Sequence, residues 1–249
     1  MINIKEISDR ALFALSVPKC VCCRERLDYG QNAFCPKCYS EFEEIKTRNC
    51  SRCSKKLSEC DCSNAYLEAH FVRRVVKSFR YLIREETNAA NALVFSLKKD
   101  NRKDVLNLCT KEMAAAIRNS IEAPESYILT NVPRRRAAII EYGIDHSALL
   151  AEAVAKELRA EYIPLLKSQS QKPQKSLERK ERLKNVEFDL IKEIDLTGKS
   201  VIIVDDIITT GASMGAAAAL LRSLGAKNIV AAALAIAYKD KYETADFNW

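Results

Sequence analysis

Two groups of residues in this 249-residue chain have types and spacings that could do chemistry. Of its ten cysteines, nine lie between Cys20 and Cys62, and Cys109 stands apart. They form Cys20-x2-Cys23, Cys35-x2-Cys38, Cys50-x2-Cys53 and Cys60-x-Cys62, separated by eleven, eleven and six residues. A C-x2-C turn points two sulfurs at one ion, and two such turns complete a tetrahedral thiolate shell. Cys20, Cys23, Cys35 and Cys38 make one candidate zinc site; Cys50, Cys53, Cys60 and Cys62 make a second. With every ligand position filled by sulfur, both sites read as closed and structural rather than catalytic. Disulfides and an iron–sulfur cluster are the alternatives. With no export signal in the opening residues, this spacing favours metal. Cys22 could replace Cys20 or Cys23, and His70 could complete a damaged shell. Cys109, on the apolar face of KDVLNLCTKEMAAAI, reads as core.

The second group is Val201-Ile202-Ile203-Val204-Asp205-Asp206-Ile207-Ile208-Thr209-Thr210-Gly211-Ala212-Ser213. Four apolar residues predict a buried central strand, with Asp205 and Asp206 at its carboxyl end, where open α/β sheets place ligands. A turn carrying hydroxyls and a glycine then enters a helix. Backbone N–H groups at a helix start, with the helix dipole behind them, form a cradle for phosphate. Gly211 lets the backbone approach the anion, and Thr209, Thr210 and Ser213 supply hydroxyls. The bland alternative, a capped strand–turn–helix junction, gives no reason for paired acids beside the cradle.

The elements that must position these residues read as an alternation of strands and helices. VVKSFRYL reads as a strand, NAANALVFSLKK and RKDVLNLCTKEMAAAIRNS as helices, and SYILTNVP as a strand ending at Pro133. DHSALLAEAVAKELRA is a helix with Asp145 as its N-cap. An extended stretch near Ile163-Pro164-Leu165, a basic segment, the strand KSVIIVDD, a helix ending at Gly225 and the strand NIVAAALAIA complete the chain. This alternation predicts an α/β domain over residues 65–249, with a mostly parallel sheet and helices on both faces. Residues 1–64 are expected to hold a short amphipathic helix and the cysteine-rich module. Structural zinc typically supplies roughly 10–16 kcal/mol to such a core-poor module.

Composition excludes several classes. Charged residues make up 29% and apolar ones 48%, as in a globular protein rather than a disordered or fibrous one. No window of 18 uninterrupted apolar residues suggests a membrane span, and the first residues lack a secretory pattern. A cytoplasmic location is therefore expected. The net charge of +7 hints at an anionic partner. Eight thiolates and two zinc ions would reduce it to about +3, so charge alone is no proof of nucleic-acid binding.

The Asp-Asp-x-x-Thr-Thr-Gly run resembles the phosphoribosyl-pyrophosphate signature of type I phosphoribosyltransferases. That resemblance implies that Asp205 and Asp206 contact the ribose 2′- and 3′-hydroxyls, and that residues 209–213, including Ala212, hold the 5′-phosphate. From about Val17 onward the chain resembles the ComF family of competence and DNA-utilisation proteins, which also includes GntX-like members. Those pair a double zinc ribbon with a phosphoribosyltransferase domain in this order. LVFSLKKDNRKDVLNL looks like the family's lysine-bearing segment, with Lys98 as its lysine. NVPRRRAAIIEYGIDHSALLA looks like its proline–arginine loop, and QKPQKSLERKERLKNV like its Q-x-x-L-x-x-x-x-R-x-x-N stretch, placing Gln174, Leu177, Arg182 and Asn185. Where the family has Arg-Gly-Phe-Asn-Gln, this chain has Tyr142-Gly143-Ile144-Asp145-His146, and only the glycine survives.

The resemblance implies a protein that binds phosphoribosyl pyrophosphate with Mg²⁺ and acts in DNA uptake or utilisation, as a phosphoribosyltransferase of unknown acceptor. Asp205 and Asp206 would then fix the ribose, with Lys98, Arg134, Arg135 and Arg136 on the pyrophosphate. The rival is a non-catalytic module that senses the activated sugar and engages single-stranded DNA, a helicase or other DNA-uptake machinery. The segment from Lys167 to Lys184 holds seven Lys or Arg and two acids. It could act as a hood over pyrophosphate, track a nucleic-acid backbone, or be a solvated face.

Overall fold

The computed structural model describes residues 17–50, 52–82, 88–135, 139–141, 143–169 and 188–238. The expected amino-terminal helix, Arg136, Tyr142 and residues 170–187 of the basic segment, with Gln174, Leu177, Arg182 and Asn185, lie outside them.

The sheet is built around two long apolar strands, β6 (Ser200–Ile208) and β7 (Asn228–Tyr238). Near-continuous apolar runs of this kind belong to strands covered on both faces. β1 (Arg74–Leu82) lies beyond β7, and β2 (Ile128–Asn131) and β3 (Glu161–Tyr162) lie beyond β6. The order is β1-β7-β6-β2-β3, and every pairing is parallel. Around the sheet stand α1 (Pro36–Lys46), α2 (Ala65–Ala69), α3 (Ala89–Lys99), α4 (Lys103–Ser120), α5 (His146–Leu158) and α6 (Ala212–Ser223). A short antiparallel ladder, β4 (Leu166–Ser168) against β5 (Phe188–Leu190), joins the two ends of the basic segment. The expected extended stretch is split around Pro164, which cannot donate to a ladder.

Successive strand residues point to opposite faces, so the core forms in two layers. Ile202, Val204, Val230, Ala232 and Leu234 face Leu93, Met113, Ile117, Leu150 and Val154 of α3, α4 and α5. Val201, Ile203, Ala231 and Ala233 face Met214, Ala217, Ala218 and Leu221 of α6.

The cysteine-rich module joins both layers instead of standing apart. Cys20, Phe34 and Phe42 belong to the first, and Cys50, Leu57 and Cys60 to the second. Phe42 meets Phe34 at 5.3 Å and Phe79 of β1 edge-on at 5.2 Å. Such aromatic pairs add about 0.5–1.5 kcal/mol each beyond burial. Lys46 of α1 pairs with Glu112 of α4 at 2.8 Å. The apolar residues of the module are thus few but shared with the main core. At residue 64, the Asn64 side chain accepts from the Leu67 amide and caps α2. α1 and α2 were not foreseen from sequence; α1 sits inside a cysteine spacing that reads as loop. No helix among the described residues is long and apolar enough to cross a membrane.

One topological feature positions the site. From β2 the chain passes through α5 to β3, away from the centre; from β6 it passes through α6 to β7 in the opposite direction. α5 and α6 cover opposite faces, so a crevice opens at the carboxyl ends of β2 and β6, the switch point of an open α/β sheet.

Candidate functional site

Each cysteine set converges. The Sγ atoms of Cys20, Cys23, Cys35 and Cys38 lie within 4.8 Å of one another, as do those of Cys50, Cys53, Cys60 and Cys62. Four sulfurs at about 2.3 Å from one ion would stand about 3.8 Å apart, so both sets fit a tetrahedral thiolate shell. Both clusters could hold zinc. Their turns repeat one backbone design: Cys20 N–H donates to Glu25 O and Cys50 N–H to Lys55 O, each at 2.8 Å. Arg24 and Ser54 take the matching left-handed conformation, φ 66° and 60°. Burial pushes the thiols of Cys20 and Cys50 up, but backbone N–H donors outweigh it and bring each down to about 7. Hydrogen bonds to the charged form favour the thiolate that a metal needs. Cys22 belongs to neither four-sulfur set; its sulfur is grouped with Cys38 and Glu41. His70 stacks on Tyr66 at 4.3 Å and is in neither cluster. Cys109 is fully buried with its thiol pushed far up by burial, as expected of core.

The acid pair lies near the carboxyl end of β6, at the crevice. Asp206 is buried, with Lys98 Nζ from the last turn of α3 at 3.2 Å from Oδ1. Arg134, just past β2, donates to Asp206 Oδ2. The Asp206 carboxylate also accepts from Ile207 N–H at 2.7 Å. Burial alone would raise its pKa, but Lys98 and Arg134 overcome it and hold Asp206 below the usual carboxylate range. Asp205 is treated differently. It is half-buried and accepts from the Asp206 amide at 2.8 Å and from Ser147 Oγ at 3.5 Å. Burial, then the neighbouring Asp206 charge, push Asp205 up to about 7. The two adjacent acids are thus shifted in opposite directions.

Asp145 organises the other rim. Its side chain caps α5 by accepting from Ala148 N–H at 3.1 Å and also accepts from Arg134 N–H at 3.2 Å. Arg134 is thereby held by its backbone as well as its guanidinium. Arg135 has buried Nη1 and Nη2 atoms with no hydrogen-bond partner among the described residues, and burial lowers its pKa. His146 is buried beside them, its imidazole pushed down by burial and then by Arg134.

Beyond β6 the chain turns into α6 through residues 209–211. Asp205, Ile207, Ile208 and Thr209 to Met214 line one hollow. Gly211 takes φ 84° and is the N-cap of α6, so it supplies no side-chain cap to the helix start. Thr210 Oγ1 accepts from Ala212 N–H at 3.2 Å, which braces the turn. Lys98, Arg134, Asp205 and Asp206 therefore meet as one cluster, and residues 209–213 continue directly from it. Ser147 carried no recognisable sequence signal, because a serine in the first turn of a helix is ordinary.

Residues 143–249 match the phosphoribosyl transferase domain family. Competence protein ComFC of Streptococcus pneumoniae is 27% identical over 198 residues, covering 80% of this chain and 85% of that protein. A ribose-phosphate pyrophosphokinase of Thermococcus kodakarensis is 58% identical over 41 residues, only 16% of this chain and 15% of the relative. Among solved structures, a purine phosphoribosyltransferase from Pyrococcus horikoshii Ot3 aligns with TM-score 0.37 and 18% identity, covering 58% of this chain and 88% of that one. With a phosphoribosyl transferase domain behind two four-cysteine clusters, and a competence protein aligned along four-fifths of the chain, the chain is similar to the ComF family.

Proposed function

We propose that the crevice binds phosphoribosyl pyrophosphate with Mg²⁺, that the two clusters hold structural zinc, and that the protein transfers the phosphoribosyl group in the handling of incoming DNA. The observation that carries this reading is the cluster of Lys98, Arg134, Asp205 and Asp206 leading straight into the 209–213 cradle. A ligand with a terminal phosphate, vicinal hydroxyls and a second anionic group suits cradle, carboxylates and cations in that order. Arg135 adds a guanidinium whose Nη atoms have no hydrogen-bond partner among the described residues.

In this reading the cradle holds the 5′-phosphate through first-turn N–H groups, and Asp205 receives the ribose hydroxyls. Asp206 orients Lys98 and Arg134, which face the pyrophosphate. Mg²⁺, bound largely by the ligand, would neutralise the leaving group. As the bond at the anomeric carbon lengthens, positive charge grows on the sugar, and the fixed Asp carboxylates stabilise it without reorganising. Rate then comes from positioning. The test is pyrophosphate release from phosphoribosyl pyrophosphate and Mg²⁺ with nucleobase and amine acceptors. Release that is lost in Asp205→Asn supports transfer; tight binding with no release for any acceptor contradicts turnover and leaves a sensor.

A second reading, in which the protein engages single-stranded DNA, draws on a groove at the amino-terminal ends of β1 and β7. Phe71, Arg73, Arg74, Tyr127, Arg222 and Lys227 line it, with Arg222 stacked on the exposed Phe71 ring at 5.5 Å. Cations beside aromatic faces suit a single strand. Fluorescence anisotropy with an oligothymidylate across salt should show a steep slope that flattens in Arg73→Glu with Lys227→Glu. An unchanged slope contradicts this reading.

A further inference from the structure

α2 is a short helix wedged between the second cysteine cluster and the start of α6. Leu67, fully buried, presses against the cradle glycine: a Cβ on Gly211 would stand 2.8 Å from Leu67 Cγ. One turn on, a Cβ on Gly215 would stand 2.9 Å from Tyr66 Cε1 and 3.2 Å from His70 Cγ. Both glycines are thus demanded by α2, whatever the ligand demands.

The other side of α2 is fastened to the cluster. Only Ser63 and Asn64 separate Cys62 from its first residue. Asn64 caps it, and Ser63 Oγ donates to Val72 O at 2.6 Å. Arg52, inside the Cys50-x2-Cys53 turn, donates to Ser63 O and reaches Glu68 Oε1 at 3.0 Å. Lys77, buried on β1, donates from Nζ to Cys62 O at 2.8 Å. An unbroken line of packed or hydrogen-bonded groups runs from the sulfur ligands through Asn64 and Leu67 to Gly211. The first cluster packs into the other layer, against Phe42 and α4, away from the cradle.

We propose that metal at Cys50, Cys53, Cys60 and Cys62 sets the conformation of residues 209–215 through Leu67, and with it their capacity to bind an anion. Leu67 is a positioning residue, and the second cluster is a control point for the pocket while the first is not. By linkage, a ligand seated in the cradle must in turn tighten metal binding at the second cluster. The link from metal to loop is independent of ligand identity; the effect on affinity rests on the phosphoribosyl-pyrophosphate reading.

The test is amide hydrogen exchange by mass spectrometry on the full zinc-loaded chain, with zinc content and phosphoribosyl-pyrophosphate affinity measured in parallel. Cys60→Ser opens the second cluster, Cys38→Ser opens the first, and Leu67→Ala cuts the link with both clusters intact. Exchange over 209–215 should rise about tenfold in Leu67→Ala and Cys60→Ser but stay near wild type in Cys38→Ser. Affinity should fall by about tenfold in Leu67→Ala with zinc content unchanged. Should Cys60→Ser raise exchange everywhere, Leu67→Ala decides alone. Unaltered exchange over 209–215 in Leu67→Ala overturns the inference, and wild-type binding of the ligand in that case leaves the pocket reading standing. Raised exchange without any wild-type binding upholds the link and contradicts the pocket reading.

Discussion

Arg134, one turn of loop past β2, and Asp206, near the end of β6, form an ion pair across the crevice where the two strands part. Both partners are largely buried, and Lys98 approaches the same carboxylate from α3. Asp205, one residue earlier, has no such cation in contact among the described residues, and its carboxyl is pushed up to about 7. The acid pair that sequence presents as two equivalent groups is therefore one anchored carboxylate and one poised carboxyl.

Opposite stability shifts should follow from this difference. Asp206→Asn leaves two partly buried cations facing a neutral amide. It should cost on the order of 2–3 kcal/mol, below the range for a fully buried pair because Lys98 keeps 30% exposure. Asp205→Asn removes a carboxylate held next to another and should raise the melting temperature at pH 8 by roughly 2–4 °C, about 1 kcal/mol. Calorimetric melting of the two variants checks both signs.

The Asp205 gain should depend on pH. Its folded pKa, about 7, lies above the ordinary carboxylate value near 3.9. The stability it contributes is thus present at low pH and lost as pH climbs through 7. The advantage of Asp205→Asn over wild type should grow between pH 5.5 and about 7 and level off above. Melting curves over that interval, with zinc content monitored because thiolates titrate too, read the trend directly.

The pocket was legible where local chemistry writes itself into consecutive residues. Val201 to Ser213 spell strand, acids and cradle in one run, and the cysteine spacing alone separates the two clusters. Less legible were contacts made across the fold. Nothing in the neighbourhood of Asp206 announces that Lys98 and Arg134, 108 and 72 residues away, will neutralise it. Cys22 could not be separated from Cys20 and Cys23 by spacing, because three cysteines share one turn and only the backbone decides which sulfurs point inward. α2 was invisible because a helix this short carries no period, and its role depends on glycines 144 and 148 residues further on.

Metal content should separate the cysteines. Cys22→Ser should retain two zinc ions per chain, whereas Cys20→Ser should retain one, because only Cys20 belongs to a four-sulfur set. Elemental analysis after chelator dialysis measures this. Stripping both sites should lower the unfolding temperature, since the cysteine module shares its core with the sheet.

Gly211→Ala tests the cradle without touching a charge. The added methyl meets Leu67 Cγ at 2.8 Å in a backbone at φ 84°. Strain of this kind costs about 1–3 kcal/mol, part of it in ligand affinity, so titration of the variant should show binding weakened by about tenfold or more. Unchanged affinity would mean that the cradle does not contact the phosphate.

The most direct measurement is isothermal titration of the zinc-loaded protein with phosphoribosyl pyrophosphate, with and without Mg²⁺, beside the Asp205→Asn, Asp206→Asn double variant. The account predicts Mg²⁺-dependent binding to wild type and severe weakening in a double variant that remains folded. Equal affinity in both proteins, or no heat from wild type at millimolar ligand, would contradict it.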